Sequence, residues 1–135
     1  MIVHTKLIEE LATSSHNPQL FIELVEYLNG LLGEQGQLFE SMADSHMTMI
    51  GYKLTDYKNN CYDGKWPIVS IAPQKSTINV YIMAVDNEGN YLVPKYQEYF
   101  GKSNCGKSCI RVRSMNDIKY AGLYRIISEL KEVES

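Results

Sequence analysis

The stretch Trp66–Met83, WPIVSIAPQKSTINVYIM, contains two short runs rich in β-branched and aromatic residues, which are typical of strands. The linker Pro73–Ser76 between the runs has only four residues, whereas a parallel crossover requires about a dozen or more. The runs Trp66–Ala72 and Thr77–Met83 are therefore predicted to pair as an antiparallel hairpin. Alternate isoleucine and valine residues in the second run predict that one of its faces is buried.

Upstream of this hairpin the apolar residues follow the spacing of a helix. Asn17 is suited to the N-cap and Pro18 to the first helical position, and apolar residues then recur at spacings of one, three and four. Gly33 is predicted to end this helix. A shorter helix is predicted over Thr5–Ala12, and a further strand over Met47–Tyr52.

Downstream of the hairpin the sequence predicts a strand and a closing helix. Tyr91–Phe100 is predicted to be a short helix or an irregular segment, and Ile110 and Val112 alternate with more polar residues as in a strand. Capping residues at Ser114–Asp117 predict the start of a helix that continues to about Glu132. Its predicted core residues recur at every third position: Ile118, Ala121, Tyr124, Ile127 and Leu130.

This order of elements predicts an α+β fold, in which N- and C-terminal helices pack on one face of an antiparallel β-sheet. The 135 residues are predicted to form a single domain, 1–135, in which residues 1–16 are an N-terminal helical extension.

Composition and charge argue against several classes of function. A net charge of -3 gives no general attraction to nucleic acid or to anionic membranes. Neither a secretory leader nor a long apolar run is present, so a cytoplasmic location and reduced cysteines are expected. The ten tyrosines are expected at the edge of the core or along a groove, because each hydroxyl requires a hydrogen bond or water.

The segment from Gly101 to Ser108, GKSNCGKS, matches the phosphate-binding pattern G-x-x-x-x-G-K-[ST] letter for letter. A phosphate-binding loop also needs a helix directly after it, because the N-terminus of that helix completes the anion site. Here CIRVR follows, which alternates as a strand does. The sequence therefore predicts a glycine-containing loop that enters a strand, and not a nucleotide site.

The segments GKWPIVSIAPQKSTINVYIM, GKSNCGKSCIRV and MNDIKYAGLYRII together resemble the YdhG-like family of small bacterial proteins. The resemblance covers about Asn17 to Leu130 and rests on Trp66, Pro67, Pro73, Lys75, Tyr81, Gly101, Lys102, Gly106, Lys107, Cys109, Ile110 and Asp117. It implies a domain of unknown function with a frataxin-like two-layer sandwich. The chain departs from the family pattern before the Trp-Pro pair, where only Gly51 and Tyr52 fit loosely, and at Cys105, where threonine is commoner.

The same resemblance implies an alternative function, iron transport, since some frataxin-like relatives are proposed to hold iron through carboxylates on their first helix. Glu23 and Glu26 are the candidate metal ligands in this chain. The simpler interpretation is that both carboxylates lie on the solvated face of an amphipathic helix. No other cofactor is evident.

A second alternative places an anion-binding or thiol-reactive site in the loop of residues 101–109. Lys102 and Lys107 flank Cys105 and are expected to lower the pKa of its thiol, because nearby cations favour the thiolate. Cys109, at the start of the predicted strand, is expected to act as a small buried residue.

A third hypothesis is a cationic groove with aromatic walls, for a small anionic ligand or an acidic peptide. The predicted sheet is able to bring together three segments that supply its residues, which are Trp66, Lys75, Tyr81, Lys102 and Lys107. The simpler interpretation is that the tryptophan lies in the core and that the lysines are solvated surface charges.

No catalytic residues are predicted, because no histidine lies in a short motif and no nucleophile has an evident base. The sequence therefore predicts a non-enzymatic binding or carrier domain in the cytoplasm. Its partner is an unidentified small ligand or protein, and neither nucleic acid nor membrane is expected to bind.

Overall fold

A five-stranded antiparallel sheet organises the chain in the computed structural model, which describes residues 8–40, 48–58, 60, 63–74, 76–114 and 120–134. The strands lie in sequence order and each pairs with the next. They are β1 (Gln37–Glu40), β2 (Thr48–Lys58), β3 (Asp63–Pro73), β4 (Ile78–Ile82) and β5 (Cys109–Val112). The predicted hairpin is confirmed as β3 and β4, in register from Val69 opposite Ile82 to Pro73 opposite Ile78.

Helices lie at both ends of this sheet in the sequence, so the predicted α+β class is confirmed. They are α1 (Pro18–Leu32), the short α2 (Leu92–Lys95) and α3 (Tyr120–Glu134). Residues 8–12 are also helical, and two 3₁₀ turns cover Gln97–Tyr99 and Lys102–Asn104. Among the described residues, no helix combines the length and the apolar character needed to cross a membrane.

The ends of α1 follow from its capping residues, as predicted. The Asn17 side chain accepts a hydrogen bond from the backbone N–H of Leu20 at 3.2 Å, and Pro18 follows in the first turn. At the other end Gly33 adopts a φ of 68°, and its N–H donates to the carbonyl of Asn29 at 2.9 Å. A left-handed residue at this position ends a helix, and glycine adopts it without steric cost.

One hydrophobic core lies between the sheet and the helices. Alternate residues of four strands face this core: Ile50, Tyr52, Val69, Ile71, Ile78, Val80, Ile82, Ile110 and Val112. The helices cover them with apolar stripes that include Leu20, Phe21, Leu24, Val25 and Leu28 from α1, and Leu123, Ile126, Ile127 and Leu130 from α3. The other face of the sheet carries the intervening residues, because successive side chains of a strand point to opposite sides.

A buried tyrosine ties the sheet to α1. The Tyr52 hydroxyl lies 2.7 Å from Asn29 Oδ1 and 3.1 Å from the carbonyl oxygen of Val25, and the side chain is 0% exposed. The same Asn29 oxygen accepts the backbone N–H of Gly36 at 3.1 Å, just before β1. One polar side chain of α1 therefore orients both β1 and β2.

The strand predicted over Met47–Tyr52 corresponds to β2, which is longer and runs to Lys58. Two further differences concern α3 and β1. In α3, Ala121 and Tyr124 are exposed, and Leu123 and Ile126 are buried instead. A spacing of three drifts about 60° around a helix at each step, because a turn takes about 3.6 residues. The strand β1 was not predicted, since its four residues, QLFE, are too few to show a period. The predicted start of the closing helix at Ser114–Asp117 falls mostly on residues outside the described ranges.

Candidate functional site

The loop of residues 101–108 closes on its own backbone. Gly101 has a φ of 91°, and the 3₁₀ turn Lys102–Asn104 follows it. Three successive backbone N–H groups, those of residues 104–106, donate to carbonyls of the loop or of β5 at distances of 2.8–3.2 Å. The chain then enters β5, as predicted. The N–H groups are therefore occupied, and a strand stands where a phosphate-binding loop has its helix.

Two arginines that were not among the predicted site residues hold this loop against β5. Arg111 Nη2 donates to the carbonyl of Ser103 at 2.9 Å, and Arg113 Nη1 donates to Asn104 Oδ1 at 2.7 Å. Arg111 lies eight residues after its partner Ser103, and Arg113 lies nine residues after Asn104. The alternation that predicted the strand correctly does not reveal that its polar side chains fold back over the loop.

The lysines predicted to attract an anion do not form one cluster. Lys107 Nζ lies 5.9 Å from the centre of the Tyr91 ring, a cation–π contact outside the loop. Lys102 is exposed on the 3₁₀ turn. Lys75 falls outside the described residues. None of the described cavities is lined by Lys102 or Lys107.

The two cysteines of the loop point to opposite sides of β5. Cys105 forms an isolated β-bridge with Ile110 and packs against the hydrophobic core. Cys109 pairs with Tyr81 and alternates with the buried Ile110, so its side chain lies on the opposite face. The two thiols therefore lie on different faces of β5, and the charge of Cys109 adds to the rise in the pKa of Cys105.

Burial raises the pKa of both thiols. The cation that opposes this effect is Arg111, and neither Lys102 nor Lys107 contributes to the shift of Cys105. The expectation that these lysines lower the pKa of Cys105 is therefore wrong, because desolvation outweighs the nearby positive charge.

The predicted aromatic walls, Trp66 and Tyr81, occupy different surroundings. The Trp66 ring packs edge-on against Phe39 with 5.6 Å between ring centres, and its Nε1 donates to the sulfur of Met83 at 3.2 Å. Tyr81 lies opposite Ser70, four residues further along β3. Neither residue lines one of the described cavities. Trp66 and Tyr81 lie on the same face of the sheet, and the groove that would join them to the lysines stays a prediction.

The candidate iron ligands, Glu23 and Glu26, line different depressions beside α1. Glu26 is exposed and lines a depression of about 450 Å³ beside Glu9 and Gln35. Glu23 lies beside Tyr120, and burial together with this carboxylate raises the pKa of the Tyr120 hydroxyl. No group of three histidine, cysteine, aspartate or glutamate side chains suited to a metal occurs among the described residues.

A different site lies between α1 and α3, and we call it the tyrosine groove. Its volume is about 550 Å³, within the usual range for sites that bind small molecules. It is lined by Tyr27, Tyr96, Ala121, Tyr124, Arg125, Ser128, Glu129 and Glu132. α3 supplies six of these residues, α1 supplies Tyr27, and the turn after α2 supplies Tyr96.

Hydrogen bonds fix two of the aromatic walls. The Tyr27 hydroxyl donates to the carbonyl of Tyr120 at 3.1 Å, and the rings of these two residues pack with 4.6 Å between their centres. On the other side the Tyr96 hydroxyl donates to a carboxylate oxygen of Glu129. Tyr124 is 57% exposed beside them. Two rings are thus held in place before any ligand arrives, which reduces the entropy lost on binding.

The carboxylate of Glu129 is already engaged. Lys95 Nζ forms ion pairs with Glu129 and, at 3.1 Å, with Asp86. The hydrogen bonds from Lys95 and Tyr96 hold the pKa of Glu129 below its usual value, and the bond to Glu129 raises the pKa of the Tyr96 hydroxyl. This network also ties the segment around α2 to α3, so it supports the groove wall.

Arg125 is a cation that lines the groove and, unlike Lys95, forms no ion pair with the described residues. Its charge acts on Tyr96 and lowers the pKa of that hydroxyl slightly against the larger upward effects. Within the part of the chain that the structure describes, the Arg125 guanidinium makes no hydrogen bond and no ion pair. Its five donors therefore face the groove or solvent.

From the sequence, the high number of tyrosines predicts only that some of them lie at the edge of the core or along a groove. It does not predict which tyrosines form this groove. The spacing of three in α3 predicts a core position for Tyr124, but this side chain is exposed to solvent. Tyr27 and Tyr96 lie 69 residues apart in the chain. No local pattern relates positions so far apart.

Comparisons of the chain with protein-family models, with curated proteins and with solved structures find no match.

Proposed function

We propose that this protein is a non-enzymatic binding or carrier domain and that the tyrosine groove holds its ligand. The observation that carries the proposal is a groove lined by two fixed rings, those of Tyr27 and Tyr96, and by the exposed Tyr124. Tyrosine provides a large, rigid contact surface at a low cost in conformational entropy.

The polar groups of the groove support binding and not catalysis. Glu129 is neutralised by Lys95 and bonded to Tyr96, so the pKa of its carboxyl is lowered and it is a poor proton acceptor at neutral pH. The loop of residues 101–109 and the pair Glu23 and Glu26 have no comparable observation in their favour. Membership of the YdhG-like family and a cytoplasmic location remain predictions from the sequence.

The test is a fragment screen by protein-observed ¹H–¹⁵N NMR, with a library of planar compounds that includes neutral and charged members. We expect shift changes that concentrate on the groove residues of α3. Replacing Tyr124 by alanine should weaken the best binders by about tenfold, close to the contribution of one aromatic contact. Because this side chain is 57% exposed, the variant should remain folded.

Tyr91→Ala is the matched control. Tyr91 is also an exposed tyrosine, 40% accessible, but it lies outside the groove. Equal weakening by Tyr91→Ala and Tyr124→Ala, or shift changes that avoid α3 altogether, would overturn the assignment of the groove.

A further inference from the structure

The tyrosine groove offers a guanidinium and two hydroxyls to a ligand, whereas both of its carboxylates, Glu129 and Glu132, already have interactions within the chain. Arg125 presents its guanidinium, and the hydroxyls of Ser128 and Tyr124 line the same groove. The strongest acceptor, the Glu129 carboxylate, already accepts from Lys95 and Tyr96. The strongest hydrogen-bonding group that a ligand meets beside the aromatic surfaces is therefore the Arg125 guanidinium, which only donates.

This combination has a complementary chemistry. A carboxylate accepts two parallel hydrogen bonds from an arginine side chain, and such charged bonds are stronger than neutral ones. A planar ring attached to that carboxylate stacks on tyrosine faces. A cationic ligand fits less well at this position, because Arg125 repels a second positive charge, Lys95 already neutralises Glu129 and Glu132 has an interaction of its own.

We propose that the ligand of the tyrosine groove is a small planar organic acid, whose carboxylate binds Arg125 and whose ring packs against the tyrosines. This inference rests on the proposed function, because it requires that the groove is a ligand site. It adds the chemical class of the ligand and the residue that selects it. Arg125 is exposed, so the selectivity it provides is modest and decreases with added salt.

The test compares two probes of the same shape, 2-naphthoate and the neutral 2-naphthamide, by NMR titration of the full chain. We expect both to shift groove resonances and the carboxylate to bind about tenfold more tightly. Arg125→Gln should remove this difference while the amide binds as before.

Lys102→Gln is the control, since it removes the same charge from an exposed position outside the groove. It should leave both affinities unchanged. Loss of naphthoate binding in Lys102→Gln, with shifts in residues 101–109, would overturn the inference in favour of the loop.

The probes also separate failure of this inference from failure of the proposed function. Equal binding of both probes in the groove, unaffected by Arg125→Gln, would refute the preference for acids and leave the groove as a binding site. If neither probe shifts groove resonances and the fragment screen also avoids α3, both proposals are wrong.

Discussion

Two glycines in helices should respond in opposite directions when they are replaced by alanine. A Cβ added at Gly122, in α3, would lie 2.7 Å from Tyr99 Cβ and 2.7 Å from Phe100 Cζ. Tyr99 Cβ cannot move away without its backbone, so overpacking should cost about 3 kcal/mol. Alanine is better than glycine inside a helix by about 1 kcal/mol. We therefore expect Gly122→Ala to lower the free energy of unfolding by about 2 kcal/mol.

Gly30, near the end of α1, is the matched control because an added Cβ meets no atom within 4 Å. Gly30→Ala should raise the free energy of unfolding by about 0.5–1 kcal/mol. For 135 residues, an unfolding entropy of about 2.1 cal/mol/K per residue converts 1 kcal/mol to about 3–4 °C in Tm. The two variants should thus differ by roughly 10 °C in calorimetry. Equal Tm values for the pair would refute the packing of α3 against Tyr99 and Phe100.

Two further predictions concern polar contacts of the fold. Tyr52→Phe should lower the free energy of unfolding, measured in urea, by about 1–2 kcal/mol, because it removes a buried hydrogen bond to α1. Tyr124→Phe is the control and should have no effect. An unchanged urea midpoint for Tyr52→Phe would contradict a stabilising bond between Tyr52 and Asn29. Lys95 and Tyr96 hold the pKa of Glu129 below its usual 4.5, so this carboxylate contributes stability at higher pH that is lost as the pH falls through its lowered value. The Tm of the wild type should therefore fall more than that of Glu129→Gln between about pH 5 and pH 3, and parallel curves would exclude this contribution.

Much of the fold was predictable because its signals are local. The cap at Asn17, the left-handed Gly33 and the short linker after β3 each depend on a few neighbouring residues, so they mark boundaries correctly. The strand β5 and its buried alternation were predictable for the same reason. β1 was not, since it is a strand mainly through its pairing with β2.

The candidate site was hardly predictable, because it depends on which helix face meets the core. Residues on α1, after α2 and on α3 form the tyrosine groove, and the sequence related none of them. The motif GKSNCGKS matches a phosphate-binding pattern by its letters, yet the N–H groups of its residues 104–106 donate to carbonyls of the loop and of β5. Burial, which no short motif expresses, raises the pKa of Cys105 and reverses the effect expected from its lysines.

The order of residues along the chain thus determines the fold class, the β3–β4 hairpin and the ends of α1. The reason is that turn length, capping and side-chain period each act over a few positions of the chain. The tertiary structure decided which polar groups remain available to a ligand. Arg111 and Arg113 are used to hold a loop, Lys95 is used between two carboxylates, and Arg125 makes no hydrogen bond or ion pair with the described residues. The physical reason is that hydrogen bonds and ion pairs form between residues distant in sequence, and only packing brings these together.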